Sequence, residues 1–185
     1  MSGLRGARLT TILIAASSEL VIIDDKVAEI ASRFVVHPED AKEAGGILIG
    51  CYRGAHLEIT ECTTPMAGDV RSRFMFYRRD KGHHRRANEA WRQSGHALTF
   101  VGEWHTHPED HPTPSFVDKA TWHSVMRKHD DPMLFLIVGR KSVWCGIGRD
   151  RSLARLNVAE GPLHMPFGVP SPIAAIEFPP TASRI

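Results

Sequence analysis

The spacing of apolar residues changes period several times along this chain, and each change predicts an element. Leu9 to Ile23 alternates apolar and polar positions as one or two half-buried strands do. Asp25 to Phe34 switches to helical spacing, with Asp25 near its start. Beyond a loop at Glu43, Gly46 to Cys51 and His56 to Thr60 are predicted strands joined by a turn at Arg53-Gly54, and Ile47-Leu48-Ile49 within the first is continuously apolar, as a buried strand is. Asp80 to Gly95 is predicted helical and is stopped by Gly95; Leu98 to His107 is predicted as a strand. Ser115-Phe116-Val117-Asp118 has the Ser-x-x-acid pattern of a helix start, and Asp130-Asp131-Pro132 halts that helix. Met133 to Val138 is an unbroken apolar strand, and Val143 to Ile147 is a further strand after a turn. Strands interleaved with helices on a mixed sheet predict a three-layer α/β class, without repeats and without a second domain.

Composition fits that picture. A chain of 185 residues with 42% hydrophobic and 24% charged positions has the makeup of one globular domain with a sizeable core. No apolar run approaches the roughly 20 residues of a membrane helix. Arg5, Arg8 and Ile12 to Ala16 faintly imitate a signal peptide, but the apolar part is short and Ser17-Ser18-Glu19 interrupts it, so a first strand and a cytoplasmic location are expected. The 3 cysteines, Cys51, Cys62 and Cys145, form no CxxC pair and leave an odd count, which favours reduced thiols. Residues 161–185 hold half of the 12 prolines, so a domain over 1–150 is expected to carry a proline-rich extension over 151–185.

Candidate chemistry concentrates around His105-Thr106-His107. Alternate residues of a strand share a face, so His105 and His107 project together and offer two imidazole nitrogens to one ion. Pro108, Pro112 and Pro114 then force the chain out of the strand before Ser115 opens a helix. On that helix Asp118, Trp122, Val125 and His129 share a face, so burying Trp122 and Val125 aims Asp118 inward as a third ligand. Three protein ligands leave the fourth position of a tetrahedral zinc open, as in catalytic zinc sites. Two histidines one residue apart are a weak signal by themselves in a chain with 11 of them; the proline loop and the helix start give the pair its weight. Hydrolysis also needs a proton carrier. Glu43 beside Gly45 and Gly46, at the entrance of a buried strand, is the candidate. Glu103 shares the strand face of His105 and stands as a carboxylate orienting an imidazole, as an alternative base, or as a group turned away by a bulge.

These residues fill the pattern of the JAMM/MPN+ metalloproteases, which the chain resembles over roughly Val27 to Gly148: Glu43, then His105-x-His107, seven residues, Ser115, two residues, Asp118. Glu43, Gly45, Gly46, Leu48 and Gly50 match the family's Glu-x-Gly-Gly-x-Leu-x-Gly box. The run Gly102 to Glu109, with Pro114-Ser115 and Trp122, is more similar to bacterial enzymes of antiphage operons, of the CBASS type or carrying a ubiquitin-like modifier. The resemblance implies a single JAB/MPN domain, a three-layer α/β/α fold with a mixed sheet. It also implies Zn²⁺ on His105, His107 and Asp118, general acid/base work by Glu43, and stabilisation of the tetrahedral intermediate by Ser115. The expected reaction is hydrolysis of the bond after the C-terminal glycine of a ubiquitin-like protein or a CD-NTase conjugated to a target lysine, with E1-like and E2-like proteins as operon neighbours. Many relatives carry an aromatic where this chain has Glu103. A non-catalytic MPN scaffold and a peptidase processing a sulfur-carrier protein are the alternatives.

Charge adds one more expectation. From Arg71 to Arg92 there are 8 Lys/Arg against Asp80 and Glu89, a local +6 in a chain of net charge +2. In JAMM enzymes the stretch before His-x-His often helps clamp the substrate tail, so Arg71, Arg73, Arg78 and Arg79 are candidate substrate-binding residues. A solvated helical face is the plainer explanation. Nucleic acid fits less well, because no recognisable binding module is present.

Overall fold

The computed structural model describes residues 10–14, 19–35 and 42–160. Strands are β1 Thr10–Ile14, β2 Leu20–Asp24, β3 Gly45–Arg53, β4 His56–Cys62, β5 Val70–Ser72, β6 Met75–Tyr77, β7 Thr99–Thr106, β8 Met133–Val138, β9 Val143–Arg149, β10 Ser152–Arg155 and β11 Asn157–Glu160. Helices are α1 Asp25–Ser32, α2 Gly82–Gln93 and α3 Phe116–Met126. Nine strands form one sheet in the order β10-β9-β8-β7-β3-β4-β2-β1-β11, while β5 and β6 form a separate hairpin. β2 runs parallel to β4 and β7 parallel to β8, and all other pairs are antiparallel, so the sheet is mixed.

The helices cover both faces. Val27 and Ala31 of α1 pack with Ile23, Leu48, Leu134, Leu136 and Val138 on one side. Trp122 and Met126 of α3 pack with Met133, Phe135 and Ile137 on the other, where Ala90 of α2 meets Ile47 and Ile49. Successive residues of β3 and β8 thus feed opposite cores, which is why both strands read as unbroken apolar runs in the sequence. The structure bears out the three-layer α/β fold with a mixed sheet.

Element boundaries follow the periodicity closely, with four strands beyond those expected. The hairpin β5–β6 escapes notice because each strand has three residues, too few to establish alternation. Strands β10 and β11 carry the sheet beyond residue 150, β10 onto β9 and β11 onto β1. The proline-rich segment 161–185 and the basic start at Arg5 and Arg8 lie outside the described residues. Cys51, Cys62 and Cys145 are free, and burial pushes the thiol of Cys145 up to about 12. Among the described residues, no helix is long and apolar enough to cross a membrane.

Candidate metal centre

β7 carries His105 into the middle of the sheet and ends at Thr106, with His107 the first residue beyond it. An irregularity in the β3–β7 pairing sets Leu48 opposite Gly102 but Ile49 opposite Phe100, so Val101 is the extra residue of a bulge. Gly102 sits there at φ 156°, where a Cβ would strike the carbonyl of Leu134. Beyond the bulge the alternation is regular. Glu103 and His105 face the α3 side and Trp104 is buried between Thr63 and the core, donating its indole N–H to the Thr63 carbonyl at 2.8 Å.

α3 brings Asp118 to the histidines. Ser115 is the N-cap, its hydroxyl accepting from the Asp118 amide at 3.2 Å while the Asp118 carboxylate accepts from the Ser115 amide at 2.7 Å. This reciprocal box fixes the first turn. Trp122, one turn further on, stacks against Phe135 (4.7 Å) and Trp144 (5.5 Å), with the His105 ring 5.8 Å away. The aromatic stack therefore sets the helix against the sheet and points Asp118 inward, as the sequence spacing predicts.

The donor atoms converge. His105 Nε2 lies 3.0 Å from His107 Nε2 and 3.2 Å from Asp118 Oδ1, and His107 Nε2 lies 3.4 Å from Asp118 Oδ2. A tetrahedral zinc with bonds of about 2.0–2.1 Å separates its ligand atoms by about 3.3 Å, close to these separations, with each imidazole facing a different oxygen of Asp118. His105, His107 and Asp118 form a group able to hold a metal. Burial opposes charge on Asp118, yet hydrogen bonds from both imidazoles and from Ser115 outweigh it and hold the carboxyl far below the usual range. Burial also opposes charge on His107, but the neighbouring Asp118, Glu43 and Glu109 raise its pKa.

Glu43 lines the same cleft as His105, Ser115 and Asp118, together with Phe76, Arg78, Glu103 and Trp122. It is only 4% exposed. Burial pushes its pKa up to about 7, against the pull of His107 and of a hydrogen bond from the Phe76 amide, and Asp118 and Glu109 push the same way as burial. The glycines after it are demanded by close approach. A Cβ on Gly45 would meet the Phe76 ring and the Trp104 carbonyl, and one on Gly46 the Thr63 carbonyl.

Glu103 is in the cleft but occupied: Arg78 reaches one of its carboxylate oxygens with Nη2 at 2.6 Å and Nε at 3.1 Å. Among the four candidate arginines, Arg71 is likewise turned onto the protein, while Arg73 and Arg79 lie exposed over the rings of Phe74 and Tyr77. Sequence reasoning missed the supports of the site. Asp69 and Thr63 flank the fully buried His83 at 2.9 and 2.6 Å, and Thr63 Oγ1 in turn accepts from the Ile47 amide at 2.9 Å. No motif announces that arrangement, because its members come from separate elements. The apolar run Phe74-Met75-Phe76-Tyr77, exposed except at Phe76, is the one signal of a hairpin wall.

Comparisons with known proteins show the family of this chain. Residues 27–154 match the family model described as prokaryotic homologues of the JAB domain. The chain is 41% identical over 139 residues to the CD-NTase/cGAS isopeptidase of Escherichia coli strain TW11681, covering 70% of this chain and 88% of that protein. It is 45% identical over 104 residues to the protein of the same name from Vibrio cholerae, covering 56% of this chain and 66% of that one. A Pseudomonas aeruginosa protein of that name is 42% identical over 104 residues, covering 55% and 66%. Matched over most of its length, this chain belongs to the prokaryotic homologues of the JAB domain.

Proposed function

We propose that the protein is a zinc-dependent isopeptidase of bacterial antiphage defence, acting in the cytoplasm on a CD-NTase joined through its C-terminal glycine to a lysine. The reading is carried by one observation: the donors of His105, His107 and Asp118 converge, and the buried Glu43 lines one cleft with His105 and Asp118. The name shared by the three relatives supports the substrate.

Zinc on His105, His107 and Asp118 supplies Lewis acidity that polarises the scissile carbonyl and lowers the pKa of a water from about 9 toward about 7. Burial raises the pKa of Glu43 in the metal-free protein, which makes its carboxylate a stronger proton acceptor than an exposed one. It takes a proton from water, whose oxygen adds to the carbonyl carbon. The same proton then passes to the lysine nitrogen as the C–N bond breaks, leaving a free amine and a carboxylic acid that gives up its remaining proton to solvent. Accepting from the Asp118 amide still leaves Ser115 its hydroxyl proton, which it donates to the carbonyl oxygen as that oxygen gains charge.

The test is a purified CD-NTase conjugate incubated with the wild-type chain and with the double variant His105→Ala, His107→Ala. Wild type is expected to carry about one zinc per chain, to release CD-NTase with a free C-terminus, and to stop on chelation. A double variant that still holds stoichiometric zinc and cleaves would overturn the assignment. Preference for a ubiquitin-like conjugate over the CD-NTase one would move the substrate while leaving the chemistry in place.

A further inference from the structure

We infer that Arg71 is a positioning residue for Glu43, acting through the main chain, and is not a contact for substrate; this rests on Glu43 being the proton carrier proposed above. Glu43 lies two residues before the first residue of β3, so sheet pairing does not reach it. What holds it is the hairpin. Its amide donates to the Ser72 carbonyl at 2.8 Å, and its carbonyl accepts from Arg71 Nε at 2.7 Å. From the same edge of the guanidinium, Nη2 donates to the Lys42 carbonyl at 3.2 Å. The planar fork thus spans two consecutive carbonyls, a geometry that an ammonium group cannot reproduce. The carboxylate itself takes a hydrogen bond from the amide of Phe76, in the second strand of the same hairpin.

On the other side, the next residue is bound to the metal strand. Ala44 donates its amide to Thr106 Oγ1 at 3.0 Å and accepts from the Thr106 amide at 2.8 Å. Thr106 lies between the two histidines. Glu43 is therefore clamped between the hairpin, through Arg71, Ser72 and Phe76, and the strand that carries the zinc ligands. The clamp fixes the distance between proton carrier and metal. Removing the arginine leaves two main-chain carbonyls without their donor and loosens the loop on the hairpin side only, where Ser72 and Phe76 still hold Glu43, so the ligands keep their geometry while Glu43 loses part of its own.

The experiment compares Arg71→Ala, Arg71→Lys and Glu43→Gln, singly and combined, on the C-terminal peptide of a CD-NTase fused to a small reporter. Zinc content and the hydrogen exchange of the Glu43 amide are measured alongside. Arg71→Ala is expected to keep zinc, to lower kcat about 10²-fold, as small misplacements of reacting groups do, and to leave KM nearly unchanged. Arg71→Lys should fall between, since one ammonium reaches one carbonyl. The Glu43 amide should exchange faster in Arg71→Ala. In the Glu43→Gln background the arginine substitution should cost almost nothing more. A rise in KM at constant kcat, or the full loss repeated on top of Glu43→Gln, would overturn the inference and make Arg71 a substrate contact or an independent contributor. If Arg71→Ala fails to fold, Arg71→Lys decides by the same kcat and KM split. Should wild type cleave no peptide or conjugate, the functional reading fails, and the exchange rate still reports whether Arg71 holds Glu43.

Discussion

Two carboxylates share the cleft, and their neighbours separate their roles. Glu103 is paired with Arg78, whereas Glu43 is buried opposite the imidazoles with its pKa pushed up to about 7. Glu43→Gln should therefore keep zinc and fold and lose about 10²–10⁴ in turnover, the usual worth of a general acid/base. Glu103→Gln should be milder, since the amide still accepts one hydrogen bond from Arg78; reversed severities in steady-state kinetics would transfer the base role. Glu43 also predicts a pH dependence of stability in the metal-free protein. The unfolded carboxyl ionises near 4.5 and the folded one near 7, so the folded state binds the extra proton and loses stability as pH rises between those values. Metal-free Glu43→Gln should melt above wild type at pH 8, and the gap should close below pH 4.5, as thermal scans across pH can show.

At the scale of elements, the site depends on close approach of β3 to its neighbours. A Cβ at Gly46 would collide with main-chain atoms of Thr63, which cannot retreat without straining the hydrogen bond from the Thr63 amide to the Ile47 carbonyl. Gly46→Ala should cost about 3 kcal/mol by overpacking. Gly54, in the β3–β4 turn, has φ 62° and nothing near its Cβ position. Gly54→Ala should cost only the backbone penalty, about 1 kcal/mol. Denaturant unfolding of the two variants would check the order. That Gly45 and Gly46 permit close approach was legible in the sequence, but the partner was not: the Phe76 ring belongs to a hairpin too short to carry a period.

Over the whole molecule, the basic stretch divides into two kinds of arginine. Arg71 and Arg78 are directed at Glu43, Lys42 and Glu103, whereas Arg73 and Arg79 are exposed beside the cleft. Steering of an acidic partner should therefore rest on Arg73 and Arg79. Their joint replacement by glutamine should lower kcat/KM for a folded conjugate far more than for a short peptide, and the deficit should shrink as salt rises, because screening acts within about 8–10 Å at physiological ionic strength. Equal losses on both substrates would point to a disturbed hairpin instead.

The sequence by itself determined which two histidines and which aspartate come together, the capped helix that delivers Asp118, and the order of strands and helices carrying them. Each of these is a local pattern, a period of two or of 3.6 residues broken by proline, glycine or serine, and local patterns survive in one dimension. Only the tertiary structure decided what the second carboxylate and the arginines do. Arg71 and Arg78 are 28 and 25 residues from the groups they bind, and His83 joins Asp69 and Thr63 across 14 and 20. Such partnerships have no spacing rule, because they exist only once the hairpin has folded against the strand that holds the histidines.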